Sequence, residues 1–265
     1  MAAPRLSDLS GKVVLISGGG GGIGSAAARA FAATGAAVAV LDHRTDRAEA
    51  AVESVRRAGG QAMPLDADVT SDASVAAAVA STLTHFGRLD VLYNTAGGTD
   101  PADGPVTEVP LDVFERTMNL DLRGTFLCCR HAIPAIIATG GGAVINMSSG
   151  AALRGASPFH VYSAAKGAIL SLTRALAGHY AKQGVRVNAI ASGRVMTERI
   201  LRDWGTLDPA DEGRDPQNPA ARAREYPFWV GDPEHIAATA VFLASDAARM
   251  ITGATIPADG GRSSY

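Results

Sequence analysis

The chain has 265 residues, of which 47% are apolar and 19% charged, and its formal net charge is −2. That is the composition of a folded chain of one large domain or two small ones, and it excludes a disordered chain. The charge is close to neutral with no Lys/Arg block, so nucleic acid is excluded as a partner. No apolar run approaches the roughly 18–20 residues that span a bilayer, so a membrane is excluded too.

In chain order, short β-branched runs alternate with longer alanine-rich stretches. Residues 13–16 read as a strand, 23–34 as a helix, 37–41 as a strand and 46–58 as a helix. A weaker strand over 61–65, a helix over 72–86 and a short strand over 90–93 follow. Residues 111–138 form a long helical region that Pro134 is expected to kink or end. A strand at 143–147, a second long helix at 158–183, a strand at 185–190, a helix at 233–244 and a last strand at 254–257 complete the pattern. Such alternation makes an α/β fold: a single Rossmann-like, doubly wound parallel sheet of about seven strands, with helices on both faces and right-handed crossovers. With no internal linker or repeat, the chain reads as one domain over 1–265. The stretch from Glu198 to Gly231 is rich in Pro, Asp, Arg and Gly and has no clean period. Long irregular segments inside compact domains are often functional, so a substrate lid is expected at about 196–231.

The two cysteines, Cys128 and Cys129, are adjacent. Helical neighbours are poorly placed for a disulfide, and no metal-type spacing is present. They read as a small apolar pair, and reduced thiols suit a cytoplasmic protein. Residues 1–12 contain no apolar leader segment.

The first strand runs into Ser17-Gly18-Gly19-Gly20-Gly21-Gly22-Ile23-Gly24, and a helix follows. Glycines there let the backbone approach a pyrophosphate, and the helix N-terminus offers free N–H groups and a favourable dipole. The placement between first strand and first helix is what points to a dinucleotide. Asp42 ends the second strand, 18 residues after Gly24. A carboxylate there accepts hydrogen bonds from both adenosine ribose hydroxyls and repels a 2′-phosphate, which favours NAD over NADP. Arg44 could reach a phosphate, but it reads first as a solvated charge at a helix start.

Tyr162 and Lys166 are four apart in a helical stretch and share one face. An ammonium beside a phenol stabilises the phenolate and tunes it for proton transfer. Ser149 lies 13 residues before Tyr162, at the carboxyl end of the fifth strand, where the ligand crevice of an open α/β sheet lies. Its hydroxyl can hold a substrate oxygen. Ser148 reads as a capping or turn serine.

Together these motifs resemble the short-chain dehydrogenase/reductase family, of the compact single-domain type. The match runs from the glycine loop to Asp259-Gly260-Gly261. The family's T-G-x-x-x-G-x-G element appears as Ser17-Gly18 through Gly22-Ile23-Gly24, its adenine-contacting D-V as Asp68-Val69, and its N-N-A-G as Asn94-Thr95-Ala96-Gly97. Its asparagine pattern is matched by Asn119 with one extra residue before Gly124, while Gly124-Thr125-Phe126 fits an N-x-x-G-x-F ending. The resemblance implies a hydride exchange between NAD and a secondary alcohol or ketone. In it Tyr162 is the acid/base and Lys166 binds the nicotinamide ribose. Ser149 polarises the substrate oxygen, and Asn119 holds a relay water linking Lys166 to solvent. Val195 and Thr197 contact the nicotinamide carboxamide. It also implies a homotetramer with the helices after Leu111 and Pro158 at the interface.

Three positions depart from the pattern: Ser17 for threonine, Thr95 for the second asparagine, and Ser192 for the proline before Gly193. The first keeps its hydroxyl. The second loses a contact across the sheet or remakes it through its hydroxyl. The third is expected to loosen the loop that presents Val195 and Thr197. The irregular segment carries Trp204, Trp229, Met196, Ile200, Leu201, Leu207, Tyr226 and Phe228, which favours an apolar substrate. Two alternatives are an NADPH-dependent reductase of acyl-carrier-linked 3-oxoacyl chains, which Asp42 disfavours, and a non-catalytic dinucleotide-binding protein.

Overall fold

A computed structural model of the chain describes residues 8–155, 157–204 and 228–264. Seven parallel strands form one sheet in the order β3-β2-β1-β4-β5-β6-β9. They are β1 Val13–Ser17, β2 Ala37–Asp42, β3 Ala62–Asp66, β4 Val91–Asn94, β5 Gly142–Ser149, β6 Val185–Ser192 and β9 Thr255–Ala258. A two-stranded piece, β7 Arg194–Val195 with β8 Val230–Gly231, follows β6. The helices are α1 Gly22–Ala33, α2 Thr45–Arg57, α3 Asp72–Phe86, α4 Leu111–Thr117, α5 Gly124–Ala138, α6 His160–Tyr180, α7 Glu198–Trp204 and α8 Pro233–Ala244.

The central strands are buried on both faces because their apolar side chains alternate between two cores, while the edge strands β3 and β9 are only partly covered. Val14, Ile16, Phe31 and Tyr93 belong to the layer under α1, α2 and α8. Leu15, Leu92, Cys128 and Ile133 belong to the layer under α3 and α5. Each buried Leu, Ile or Phe contributes roughly 1.5–3 kcal/mol relative to exposure. Helix ends follow local chemistry. Ser71 accepts from the Ser74 N–H at 3.3 Å where α3 begins, and Gly87, at φ 77°, ends it. At the start of α8, His235 Nδ1 accepts from the Asp232 N–H at 2.9 Å.

The long helical region expected over 111–138 is interrupted, though not at Pro134. Between α4 and α5 the chain forms a π-helical stretch, Met118–Arg123, in which the Gly124 N–H reaches Asn119 O five residues back. Pro134 sits inside α5, which continues to Ala138 because Ala132, Ile133, Ala135 and Ile136 are buried around it.

At the amino ends of the strands, Asp90 is 1% exposed. Its carboxylate accepts from the Val13 N–H at 3.0 Å, from Arg88 at 2.8 and 2.6 Å and from Lys12 at 3.1 Å. Burial pushes this carboxyl up, but Arg88, the Val13 N–H and Lys12 together hold it below its ordinary value.

Candidate active site

The turn between β1 and α1 is made tight by glycine at two positions where nothing else fits. Gly18 has φ 65°, and a Cβ on it would lie 2.7 Å from the Ala96 backbone. A Cβ on Gly24 would lie against Gly18 O and 2.7 Å from Gly19 Cα. The turn therefore packs directly on the loop after β4 and brings the first N–H groups of α1 to the floor of a cleft of about 770 Å³. Gly18, Gly22, Ile23, Gly24, Asp42, Asp68, Val69, Ala96, Gly97 and Thr197 all line it. Four cationic side chains, Arg29, Arg47, Arg116 and Arg199, line it too, and local sequence pattern singled out none of them. A long cleft with glycine backbone at its centre, a carboxylate near one end and cations around it fits a dinucleotide with its two phosphates.

Asp42 is 6% exposed. Its Oδ2 accepts from the Gly20 N–H and its Oδ1 from the Arg44 N–H, each at 3.0 Å. His43 Nδ1 lies 3.4 Å from Oδ1, and with about four acceptor positions on an ionised carboxylate these contacts still leave room for a further donor. Arg44 is held by Asp46, at 3.1 and 2.8 Å, as a solvated helix-start pair. At the adjacent corner both oxygens of Asp68 accept from the Thr70 hydroxyl at 2.8 Å, so this carboxylate fixes its own turn beside Val69.

Ser17 and Asn94 do not line the cleft; they support it from below. The Ser17 hydroxyl donates to Asn94 Oδ1 at 3.3 Å. Asn94 Nδ2 donates to Asn146 Oδ1 at 2.9 Å, and Asn146 Nδ2 to Thr173 Oγ1 at 3.0 Å. This buried chain ties β1, β4, β5 and α6 together. Thr95 remakes the contact across the sheet, its hydroxyl donating to Ser17 O at 2.6 Å and lying 3.2 Å from Gly18 O. Val195 is 6% exposed and belongs to β7. The turn after Ser192 is fastened without a proline ring: the Gly193 N–H donates to Ala258 O at 3.0 Å, and the Met196 N–H to Gly231 O at 2.9 Å.

Ser149 ends β5, and its Oγ accepts from the Ala151 N–H at 3.2 Å. Ser148 plays the structural part, its hydroxyl donating to Lys166 O at 2.8 Å. Tyr162 and Lys166 stand on the same face of α6, with Nζ 5.5 Å from the centre of the phenol ring. Asp103, far away in sequence and 7% exposed, accepts from the Val161 and Tyr162 N–H groups at 3.1 and 2.8 Å. It fixes the first turn of α6 and so the place of the tyrosine.

Lys166 is 4% exposed. Its Nζ donates to Met147 O at 3.2 Å and lies 2.7 Å from Asp121 Oδ1. Burial works against this charge, but Asp121 and Tyr162 facing it more than offset that, with Arg199 opposing, so the ammonium titrates above its ordinary value. Gly97 lies against this pair: a Cβ there would be 3.1 Å from Nζ. The cleft and the Tyr162–Lys166 face therefore meet at Gly97.

Asn119, expected to serve Lys166, is not the residue found there. Its Oδ1 accepts from Arg123 at 3.0 Å, and Asp121 takes the position against the lysine. Two positions apart, the side chains of Asn119 and Asp121 leave the helical turn on opposite sides, so only one of them can face α6. A signal was present in the sequence: counting back three from Gly124 in the N-x-x-G-x-F spacing reaches position 121, which removes the extra residue. Asp103 left no such signal.

Of the expected lid, residues 205–227 lie outside the described residues, Leu207 and Tyr226 among them. Trp229 is 8% exposed with the Arg262 guanidinium 4.3 Å from its ring centre, so its ring is covered by the chain's own C-terminal turn.

A family model described as enoyl-(acyl carrier protein) reductase matches residues 18–263. 2,5-Dichloro-2,5-cyclohexadiene-1,4-diol dehydrogenase of Sphingobium indicum is 38% identical over 261 residues, covering 97% of this chain and 98% of that one. D-threitol dehydrogenase of Mycolicibacterium smegmatis is 37% identical over 253 residues, 96% of this chain and 93% of that one. The chain belongs to the short-chain dehydrogenase/reductase family. Among solved structures, a 7α-hydroxysteroid dehydrogenase complexed with NADH and 7-oxo glycochenodeoxycholic acid superposes with TM-score 0.86 at 30% identity, covering 96% of this chain and 95% of that one. This short-chain dehydrogenase/reductase is an oxidoreductase acting on an alcohol group, and its cleft is that of a nicotinamide dinucleotide. Among the described residues no helix is long and apolar enough to cross a membrane.

Proposed function

We propose that the chain is an NAD-dependent dehydrogenase of secondary alcohols, or reductase of the matching ketones, with Tyr162 as its acid/base. The observation that carries this reading is the meeting of the dinucleotide cleft with the Tyr162–Lys166 face at Gly97. The nicotinamide supplies or takes the hydride. The Tyr162 hydroxyl gives its proton to the carbonyl oxygen, or takes one from the alcohol. Ser149 Oγ donates to the same oxygen and steadies its developing charge. Lys166 has three N–H donors, two of them directed to Met147 O and Asp121, so the third serves the nicotinamide ribose hydroxyls. Val195 and Thr197 belong to the carboxamide end.

Asp42 supports NAD over NADP, since a 2′-phosphate would meet a nearly buried carboxylate. Thr197, Glu198 and Arg199 line the cleft, and the apolar Met196, Ile200 and Leu201 next to them in the chain support an apolar substrate and a covering role for the 196–231 segment. A homotetramer is supported by Leu111, Phe114 and Phe126, exposed by 80%, 45% and 47% on the outer faces of α4 and α5. The two free cysteines, both buried, suit the cytoplasm.

The test is a fluorescence titration with NADH and NADPH, joined to turnover of apolar secondary alcohols by wild type and Tyr162→Phe. Tighter NADH binding and loss of turnover in the variant are expected. Tighter NADPH binding overturns the cofactor choice and raises the 3-oxoacyl reductase alternative. Binding of neither cofactor overturns the enzyme reading.

A further inference from the structure

We propose that Asp121 is the counter-ion that holds the Lys166 ammonium charged and in place, and is thereby a positioning residue for proton transfer at Tyr162. This rests on the reading of Tyr162 as the acid/base. The two groups are 2.7 Å apart, and their side chains are 4% and 0% exposed. A buried ammonium without a facing charge is costly and tends to shed its proton. Met147 O, the other acceptor, carries no charge, so the carboxylate is what keeps the proton on Nζ. Asp121 is itself anchored: the Gly98 N–H reaches its two oxygens at 3.2 and 3.4 Å. The ion pair therefore fastens α6 to the loop after β4, at the point where cleft and catalytic face join.

The charged and titratable groups around the pair come from each neighbouring element. Lys166 and Tyr162 belong to α6, Asp121 to the π-helical stretch and Arg199 to α7, while Asp103 holds the Tyr162 backbone. From strand β5, Met147 O accepts from Nζ and the Ser148 hydroxyl donates to Lys166 O, and neither group is charged. With Asp121 ionised the pair is neutral, so the phenol faces an ion pair and not a bare cation. Two effects follow from removing the carboxylate charge. The field on the phenol becomes more positive while Lys166 stays charged, and Lys166 itself gives up its proton more easily. For carbonyl reduction, which needs a protonated phenol and a charged lysine, both move the alkaline limit of activity to lower pH.

Asp121→Asn keeps the shape and an acceptor for Nζ and removes only the charge. The alkaline limb of kcat/KM for ketone reduction is expected to move down by about one unit or more, the usual effect of a charge at this range. NADH affinity is expected to fall with rising pH over the same interval, whereas a purely structural loss lowers it evenly at all pH. An unmoved limb and a pH-independent affinity, with Tyr162→Phe inactive, overturn this proposal alone. An active Tyr162→Phe overturns the acid/base reading on which it rests. Should Asp121→Asn fail to accumulate folded, thermal unfolding of Lys166→Met and of the double variant decides. Coupling predicts that the double variant, with no charge left alone, is more stable than Lys166→Met; equal or lower stability overturns the pairing.

Discussion

Asp42→Asn gives the sharpest test of the adenosine end of the cleft. The wild-type carboxylate has used one acceptor position on each oxygen, for the Gly20 and Arg44 N–H groups at 3.0 Å. His43 Nδ1 lies 3.4 Å from Oδ1, which leaves Oδ2 the more open oxygen for a ribose hydroxyl. Hydrogen bonds to a charged group contribute about 1.5–3 kcal/mol each. Asparagine keeps one oxygen and turns the other acceptor into a donor, so at least one such bond is lost. NADH affinity is then expected to fall by about 10- to 150-fold at 25 °C, since about 1.4 kcal/mol is tenfold. NADPH affinity is expected to rise, because the charge that repels a 2′-phosphate is gone. The assay is nicotinamide fluorescence titration with each cofactor at one ionic strength, with far-UV circular dichroism as the folding control. A folded variant whose NADH affinity changes by less than about threefold, with no gain for NADPH, would refute the assignment of Asp42 to the ribose.

Gly24→Ala forces a methyl against Gly18 O and Gly19 Cα, and backbone cannot swing aside; overpacking of this kind costs about 1–3 kcal/mol. Scanning calorimetry should show a lower Tm together with weaker dinucleotide binding, while Gly178→Ala, on the exposed side of α6 with open space around it, should gain about 0.5–1 kcal/mol. Asp90→Ala strands the Val13 N–H and breaks the Arg88 and Lys12 pairs, for an expected loss of about 2–3 kcal/mol in urea unfolding. Because the folded Asp90 carboxyl titrates below its ordinary value, its contribution is present above about pH 4 and is lost as pH falls through the folded value, so the variant and wild type should converge in acid. Lys166 has the opposite sign: its folded ammonium titrates above the ordinary value, so its contribution is present below about pH 10.4 and is lost as pH rises through the folded value. Thr95→Val removes the hydroxyl that bonds Ser17 O and should cost about 1 kcal/mol, measured by the same unfolding curves; no loss would mean the contact across β1 and β4 is idle.

By itself the sequence determined the parts of this protein that depend on neighbours along the chain. Strand and helix alternation follows from β-branched runs and alanine-rich stretches, and periodicity reports burial directly, so the seven sheet strands were legible to within a few residues. The glycine turn and the carboxylate beside it were legible because both sit at the ends of adjacent strands that the sequence already marks. Tyr162 and Lys166 were legible because one helix face carries both. Only the tertiary structure decided what depends on contacts between distant segments. The Asp103 carboxylate reaches the start of α6 from about 60 residues away, and no local pattern announces such a bond. Spacing from Gly124 points to position 121, but that its carboxylate pairs with the Lys166 ammonium at 2.7 Å across to α6 is a contact only the packed fold shows. Trp229 looked free to cover a substrate until its ring was seen to lie under Arg262. In each case the deciding quantity is the close approach of side chains across the fold, which residue order constrains only once the sheet and its helices have packed.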